Sequence, residues 1–148
     1  MNEPERHLSS TLELFRWVGW AQMQAGLDWN RERDLSRQQG FTLSYLAENP
    51  GAMQRDIAKI SRTTAASVSS LLQGLEARGL VERRTEDGDE RSKRVYATPA
   101  ALELISGFEA AMASVEETIL APLDQVERAT LHALLTKITA DLPQPTRS

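Results

Sequence analysis

The run from Gln54 to Thr98 constrains the fold most, because two short helical patterns in it are followed at once by two β-like segments. From Gln54 to Ile60, the residues Ile57, Ala58 and Ile60 face one side of a short helix. Thr63 or Thr64 can cap a second helix whose apolar stripe is Val68, Leu71, Leu72 and Leu75. Arg78-Gly79 gives that helix a cationic last turn and a left-handed end. Two helices joined by a tight turn form a helix-turn-helix unit. Leu80 to Arg84 and Arg94 to Ala97 then read as strands separated by Thr85 to Glu90, where Asp87-Gly88 is a hairpin turn signal. Such a ribbon, placed directly after the second helix, is a wing.

Long helices flank this unit. Ser10 with Glu13 forms a capping-box pattern ahead of Leu12, Phe15, Gly19, Met23 and Leu27, which predicts a first helix ending between Trp29 and Asp34. Ser36 with Gln39 opens a shorter helix carrying Phe41, Tyr45 and Leu46, stopped by Asn49-Pro50-Gly51. Thr98-Pro99 starts a fifth helix, with Leu102, Ile105, Phe108, Met112, Val115 and Ile119 on one continuous face. Ala121-Pro122 breaks it, and a sixth helix follows with Val126, Leu131, Leu134, Leu135, Ile138 and Leu142. The expected fold is mainly α with a small β-wing, a winged helix-turn-helix with helices on both sides.

With 148 residues and 41% apolar content, the chain has the size of one packed domain. It has no cysteine, which excludes disulfides, thiolate metal sites and cysteine nucleophiles. No run approaches a membrane span, and the polar start Met1 to Ser10 lacks the pattern of a secretion signal, so a soluble, cytoplasmic protein is expected. The net charge is -4, but its distribution is uneven. Ala52 to Thr98 carries nine basic and seven acidic residues, while the flanks carry eight and fourteen. A slightly basic middle between acidic flanks suits contact with phosphates better than the total suggests.

Leu75-Glu76-Ala77-Arg78-Gly79-Leu80-Val81-Glu82-Arg83, followed by Asp89-Glu90-Arg91-Ser92-Lys93-Arg94-Val95, resembles the recognition-helix exit and wing of the MarR family of bacterial regulators. In element order the resemblance covers nearly the whole chain. It implies a single MarR-type domain over 1-148, with residues 35-98 binding DNA and residues 1-34 and 99-148 forming a helical dimerisation region. The implied function is a homodimeric, ligand-responsive repressor of transcription on a pseudo-palindromic operator in double-stranded DNA, with no enzymatic activity and no cofactor. From the residues themselves, Thr64, Ala65, Ser67, Ser69 and Ser70 are expected to face a major groove, small enough for close approach. Asp89 and Arg91 match the wing tip, where the carboxylate orients an arginine for the minor groove, and Arg84, Lys93 and Arg94 are expected on phosphates. Ser70 departs from the Arg or Lys that relatives often carry there.

The resemblance also implies a small aromatic or lipophilic effector, for which Arg16, Trp17, Trp20, Met23, Phe41 and Tyr45 are the candidate residues, although such a stripe is equally plain core. The competing reading from another functional class is a winged helix used only for protein contacts. An enzyme is disfavoured, since no Gly-rich nucleotide loop is present and His7 and His132 have no metal-ligand spacing.

Overall fold

The structure, a computed structural model, describes residues 10–86, 88 and 93–144. Its elements are α1 (Thr11–Arg31), α2 (Arg37–Glu48), β1 (Ala52–Met53), α3 (Gln54–Ile60), α4 (Ala65–Ala77), β2 (Val81–Thr85), β3 (Lys93–Ala97), α5 (Pro99–Ile105), α6 (Phe108–Leu120) and α7 (Gln125–Thr139). They divide into two compact units, one of residues 29–108, the other of 1–28 with 109–144.

The unit 29–108 is built on local caps. Ser36 Oγ accepts the N–H of Gln39 at 3.1 Å while the Gln39 side chain accepts the N–H of Ser36 at 2.9 Å, so both orphan donors at the start of α2 are satisfied. Thr64, rather than Thr63, caps α4 by accepting the N–H of Ser67. Thr98 caps α5 by accepting from Ala101 at 3.2 Å, and its hydroxyl also donates to the Gly79 carbonyl at 2.7 Å. Through Thr98, the end of the wing is fastened to the end of α4.

The sheet has three strands in the order β1-β3-β2, all antiparallel, rather than the expected two. The extra strand, β1, pairs Ala52 with Val95 and Met53 with Arg94. Gly51 makes that pairing possible: it turns the chain at φ +80 and its N–H donates to the Val95 carbonyl at 3.0 Å. Below the sheet, Leu43, Leu46, Ile57, Val68, Leu72, Leu75, Val95 and Ala101 are all at most 2% exposed and form one cluster. Each of the buried Leu, Ile and Val side chains among them contributes roughly 1.5–3 kcal/mol.

The fifth helix of the sequence pattern is two helices. Ser106 is extended and Gly107 lies at φ +85, and the Ser106 hydroxyl donates to the Glu103 carbonyl at 2.6 Å, diverting the backbone between α5 and α6. The apolar period runs through this break, which is why the pattern concealed it. Asp124 with Glu127 forms a capping box that starts α7.

In the unit of 1–28 with 109–144, neither α6 nor α7 contains a buried residue. Trp17 (60% exposed), Trp20 (55%), Val126 (75%) and Ile138 (55%) are bare to solvent, as are Leu12, Leu134 and Leu142. Among the described residues, no helix is long and apolar enough to cross a membrane.

A β-carbon at Gly51 would meet Tyr96 Oη at 3.0 Å on a backbone that disfavours one. Gly51→Ala should therefore lower stability by about 1–2 kcal/mol, seen as an earlier urea midpoint; an unchanged midpoint would show that β1 does not hold this turn.

Candidate nucleic-acid interface

On α4, the buried residues Val68, Leu72 and Leu75 lie at i, i+4 and i+7 and fix which face remains outside. Opposite them stand Ala66, Ser70 and Gln73, all exposed. Of the sequence candidates, Thr64, Ala65, Ser67 and Ser70 are exposed and Ser69 is half-buried. Thr64 is partly used by the cap, since its hydroxyl donates to Ser67 Oγ at 2.9 Å. Counting 100° per residue away from Val68 adds Ala66 and Gln73 to the exposed face that carries the sequence candidates.

The wing's root is held by Arg83, whose Nη2 and Nε both approach Glu76 Oε2, at 2.6 and 3.2 Å. This pair ties β2 to the last turn of α4 and leaves the Arg83 side chain only 18% exposed. Further out, the cations expected on phosphates are held by carboxylates of the same ribbon. Arg84 Nη2 lies 3.1 Å from Glu82 Oε2, and its guanidinium covers the Tyr96 ring at 4.4 Å. Arg94 Nε lies 3.5 Å from Glu86 Oε2 and its Nη1 donates to the Gly51 carbonyl at 3.2 Å. The strand register explains the arrangement: Arg84 sits opposite Arg94, and like charges directly opposed are separated by giving each its own carboxylate. Lys93 is half-buried and forms no ion pair with a described residue. Asp89 and Arg91 lie outside the described residues.

Two further residues connect the helices. Gln54 Nε2 donates to the Ala65 carbonyl at 3.4 Å, setting the start of α3 beside the start of α4. Arg78, at the end of α4, donates to the carbonyls of Asp34 at 2.7 Å and Arg33 at 3.2 Å, closing the turn that follows α1.

The effector candidates do not form one constellation. Arg16, Trp17, Trp20 and Met23 are exposed on α1, while Tyr45 packs against the core of unit 29–108. Phe41 lines a cleft of about 230 Å³ between α2, the α3–α4 turn and α4. Arg37, Gln38, Thr63 and Ser67 give this cleft polar edges, over a floor of Phe41, Val68 and Leu71. None of these cleft residues other than Phe41 was picked out as an effector contact in the sequence, because they come from three separate elements.

A short helix, a tight turn and a second helix followed by a three-stranded wing define a winged helix-turn-helix protein. Residues 33–92 match the MarR family. A transcriptional regulatory protein assigned to the hcr operon of Thauera aromatica is 29% identical over 96 residues, which is 65% of this chain but only 58% of that protein. The Staphylococcus aureus regulator MepR, solved in complex with DNA, is 31% identical with a TM-score of 0.71, covering 88% of this chain and 98% of MepR. A Clostridium acetobutylicum protein assigned to the MarR family is 32% identical with a TM-score of 0.73, covering 88% of this chain and 96% of that one. The chain belongs to the MarR family, and it is a transcriptional regulator of the MarR type.

The hydrogen bond from Arg84, together with its charge, holds the Glu82 carboxyl below the usual carboxylate range, and Glu82 in turn raises Arg84. A carboxyl depressed in the fold keeps its pairing above its ordinary value and loses it only as pH falls through the lowered one. A carbon-detected NMR titration should show Glu82 titrating below the ordinary glutamate value and moving back up towards it in Arg84→Gln. A wild-type Glu82 that titrates at the ordinary value would remove the pair from the wing.

Proposed function

We propose that the chain is a homodimeric repressor that binds a pseudo-palindromic operator in double-stranded DNA and responds to a small effector. The observation that carries this reading is the joining of α4 to the wing: a helix with a small, polar outer face leads through one turn into an arginine-bearing ribbon pinned to it by Glu76–Arg83. In this reading α4 enters the major groove, where Gln73 is suited to the N6 and N7 edge of adenine, while Thr64, Ala65, Ser67, Ser69 and Ser70 allow close approach. Asp89 and Arg91 serve the flanking minor groove, and Arg84, Lys93 and Arg94 contact phosphates once Glu82 and Glu86 yield them. MepR, solved on DNA, supports the partner by analogy.

Residues 29–108 supply the DNA-binding part, and the bare apolar stripes of α1 and α7 supply the dimer contact. Half-sites roughly one helical turn apart, ~34 Å, then follow from the two-fold symmetry. The effector is a small molecule with an apolar body. It is expected on the cleft beside Phe41, where Thr63 and Ser67 adjoin the start of α4. The engagement of Arg84 and Arg94 by wing carboxylates is the one observation that favours the other reading, a winged helix for protein contacts.

Selection of bound duplexes from a random pool separates the two readings. DNA binding predicts an enriched, two-fold related sequence whose affinity falls steeply with salt, and no enrichment would leave the protein-contact reading. Arg91→Ala should weaken binding to the selected duplex by about 10-fold, the worth of one or two good contacts. Unchanged affinity would remove the wing tip from the interface.

Leu134→Glu with Ile138→Glu should convert the dimer to a monomer by sedimentation equilibrium and abolish binding to the selected duplex. A doubly substituted protein that still sediments as a dimer would place the interface elsewhere.

A further inference from the structure

We infer that Glu82 and Glu86 are a built-in brake on DNA binding: they hold Arg84 and Arg94 in pairs on the outer face of the wing, so that these arginines reach a phosphate only by giving up a carboxylate. This inference rests on the DNA-binding reading and adds to it two residues that set its strength.

Three observations carry it. The first is the strand register. Side chains alternate between the two faces of a ribbon, and in this one Val81 and Val95 are buried in the core. Glu82, Arg84, Arg94 and Tyr96 therefore share the opposite face, with Glu82 across from Tyr96 and Arg84 across from Arg94. None of the four is buried.

The second is that the contacts on this face close on one another. Arg84 Nη2 lies 3.1 Å from Glu82 Oε2, and its guanidinium covers the Tyr96 ring at 4.4 Å. The Tyr96 hydroxyl donates to Glu86 Oε1 at 3.4 Å, and Glu86 Oε2 lies 3.5 Å from Arg94 Nε. Tyr96 thus joins the two pairs, and two cations meet two acids with no charge left over. A cation that neutralises a phosphate releases a counterion, whereas one already neutralised by a carboxylate has little to release. When such an arginine turns to the backbone, its former partner stays on the same face and repels the same phosphates.

The third is that the pair at Arg84 fastens nothing. Glu82 and Arg84 stand two residues apart on the one strand β2, so their contact ties no element to another. Arg83 shows the contrast: it points to the other face and binds Glu76 on α4, which holds the root of the wing. Removing the Glu82 charge therefore changes the availability of Arg84 and leaves the fold in place.

The test uses the full-length protein and the duplex selected above, with an unrelated duplex of equal length. Glu82→Gln and Glu86→Gln keep the side-chain shape and remove the charge. Each should raise affinity for both duplexes by about threefold and steepen the slope of log affinity against log salt by about one, with little change in thermal midpoint. The gain from Glu82→Gln should vanish when Arg84→Gln is also present, because the double-mutant cycle isolates the pair. A gain that persists without Arg84 is the general effect of one less negative charge and overturns the inference. Unchanged or weaker binding by Glu82→Gln also overturns it, while leaving the DNA-binding reading intact. Failure of the wild type and of both variants to bind any duplex overturns both.

Discussion

The winged-helix unit depends on β3 being an inner strand. It is bonded on one side to β2 along five residue pairs and on the other to the two pairs of β1, and Val95 at its middle is fully buried. A hairpin of β2 and β3 alone would be marginal in water. The short β1 changes that, since it covers one edge and joins the ribbon to the chain leaving α2 through the turn at Gly51. The direction of the wing relative to α4 is consequently set at its root, by Gly51, Thr98 and Arg83.

Polar contacts within unit 29–108 fall into two kinds. Arg78, Gln54 and Thr98 reach backbone carbonyls at the ends or starts of neighbouring elements. Arg33 does the same for Leu104 and Trp29, with its guanidinium 3.5 Å above the Trp29 ring, itself edge-on to Phe108. These ties hold elements at fixed distances. The wing pairs Glu82–Arg84 and Glu86–Arg94 are of the other kind, exposed and salt-sensitive, and pairs like them contribute only about 0–1 kcal/mol. At Arg84 the Glu82 carboxylate and the Tyr96 ring both engage the guanidinium.

Features decided by a few adjacent residues were legible in the sequence. The Ser36–Gln39 box, the Thr98-Pro99 start, the bounds of α3 and the stripe Val68, Leu72, Leu75 all read directly, because a cap or a helical period is local chemistry. β1 was not legible: Ala52-Met53 is too short to show a period and becomes a strand only by pairing with Arg94 and Val95, far along the chain. The break at Ser106-Gly107 was not legible either, because the apolar repeat continues across it. For the site, the exposed face of α4 could be counted out from its buried stripe, and it includes Ala66, which carries no polar signal of its own. The partners of Arg84 and Arg94 could not be read without the register that places them opposite one another.

The same contrast bears on how the chain becomes stable. The core cluster lies wholly within residues 29–108, from Leu35 to Ala101, so that unit has its own source of folding energy. The helices α6 and α7, of 13 and 15 residues, contain no fully buried residue. Isolated helices of that length are marginal in water, even with the Asp124–Glu127 box at the head of α7. Their order must come from covering their apolar stripes. If a second copy of the chain provides that cover, the order of these helices depends on protein concentration while the core of 29–108 does not. Folding and assembly are then coupled in one unit and separate in the other. In that case the core of 29–108 stays formed even when the cover of α6 and α7 is lost.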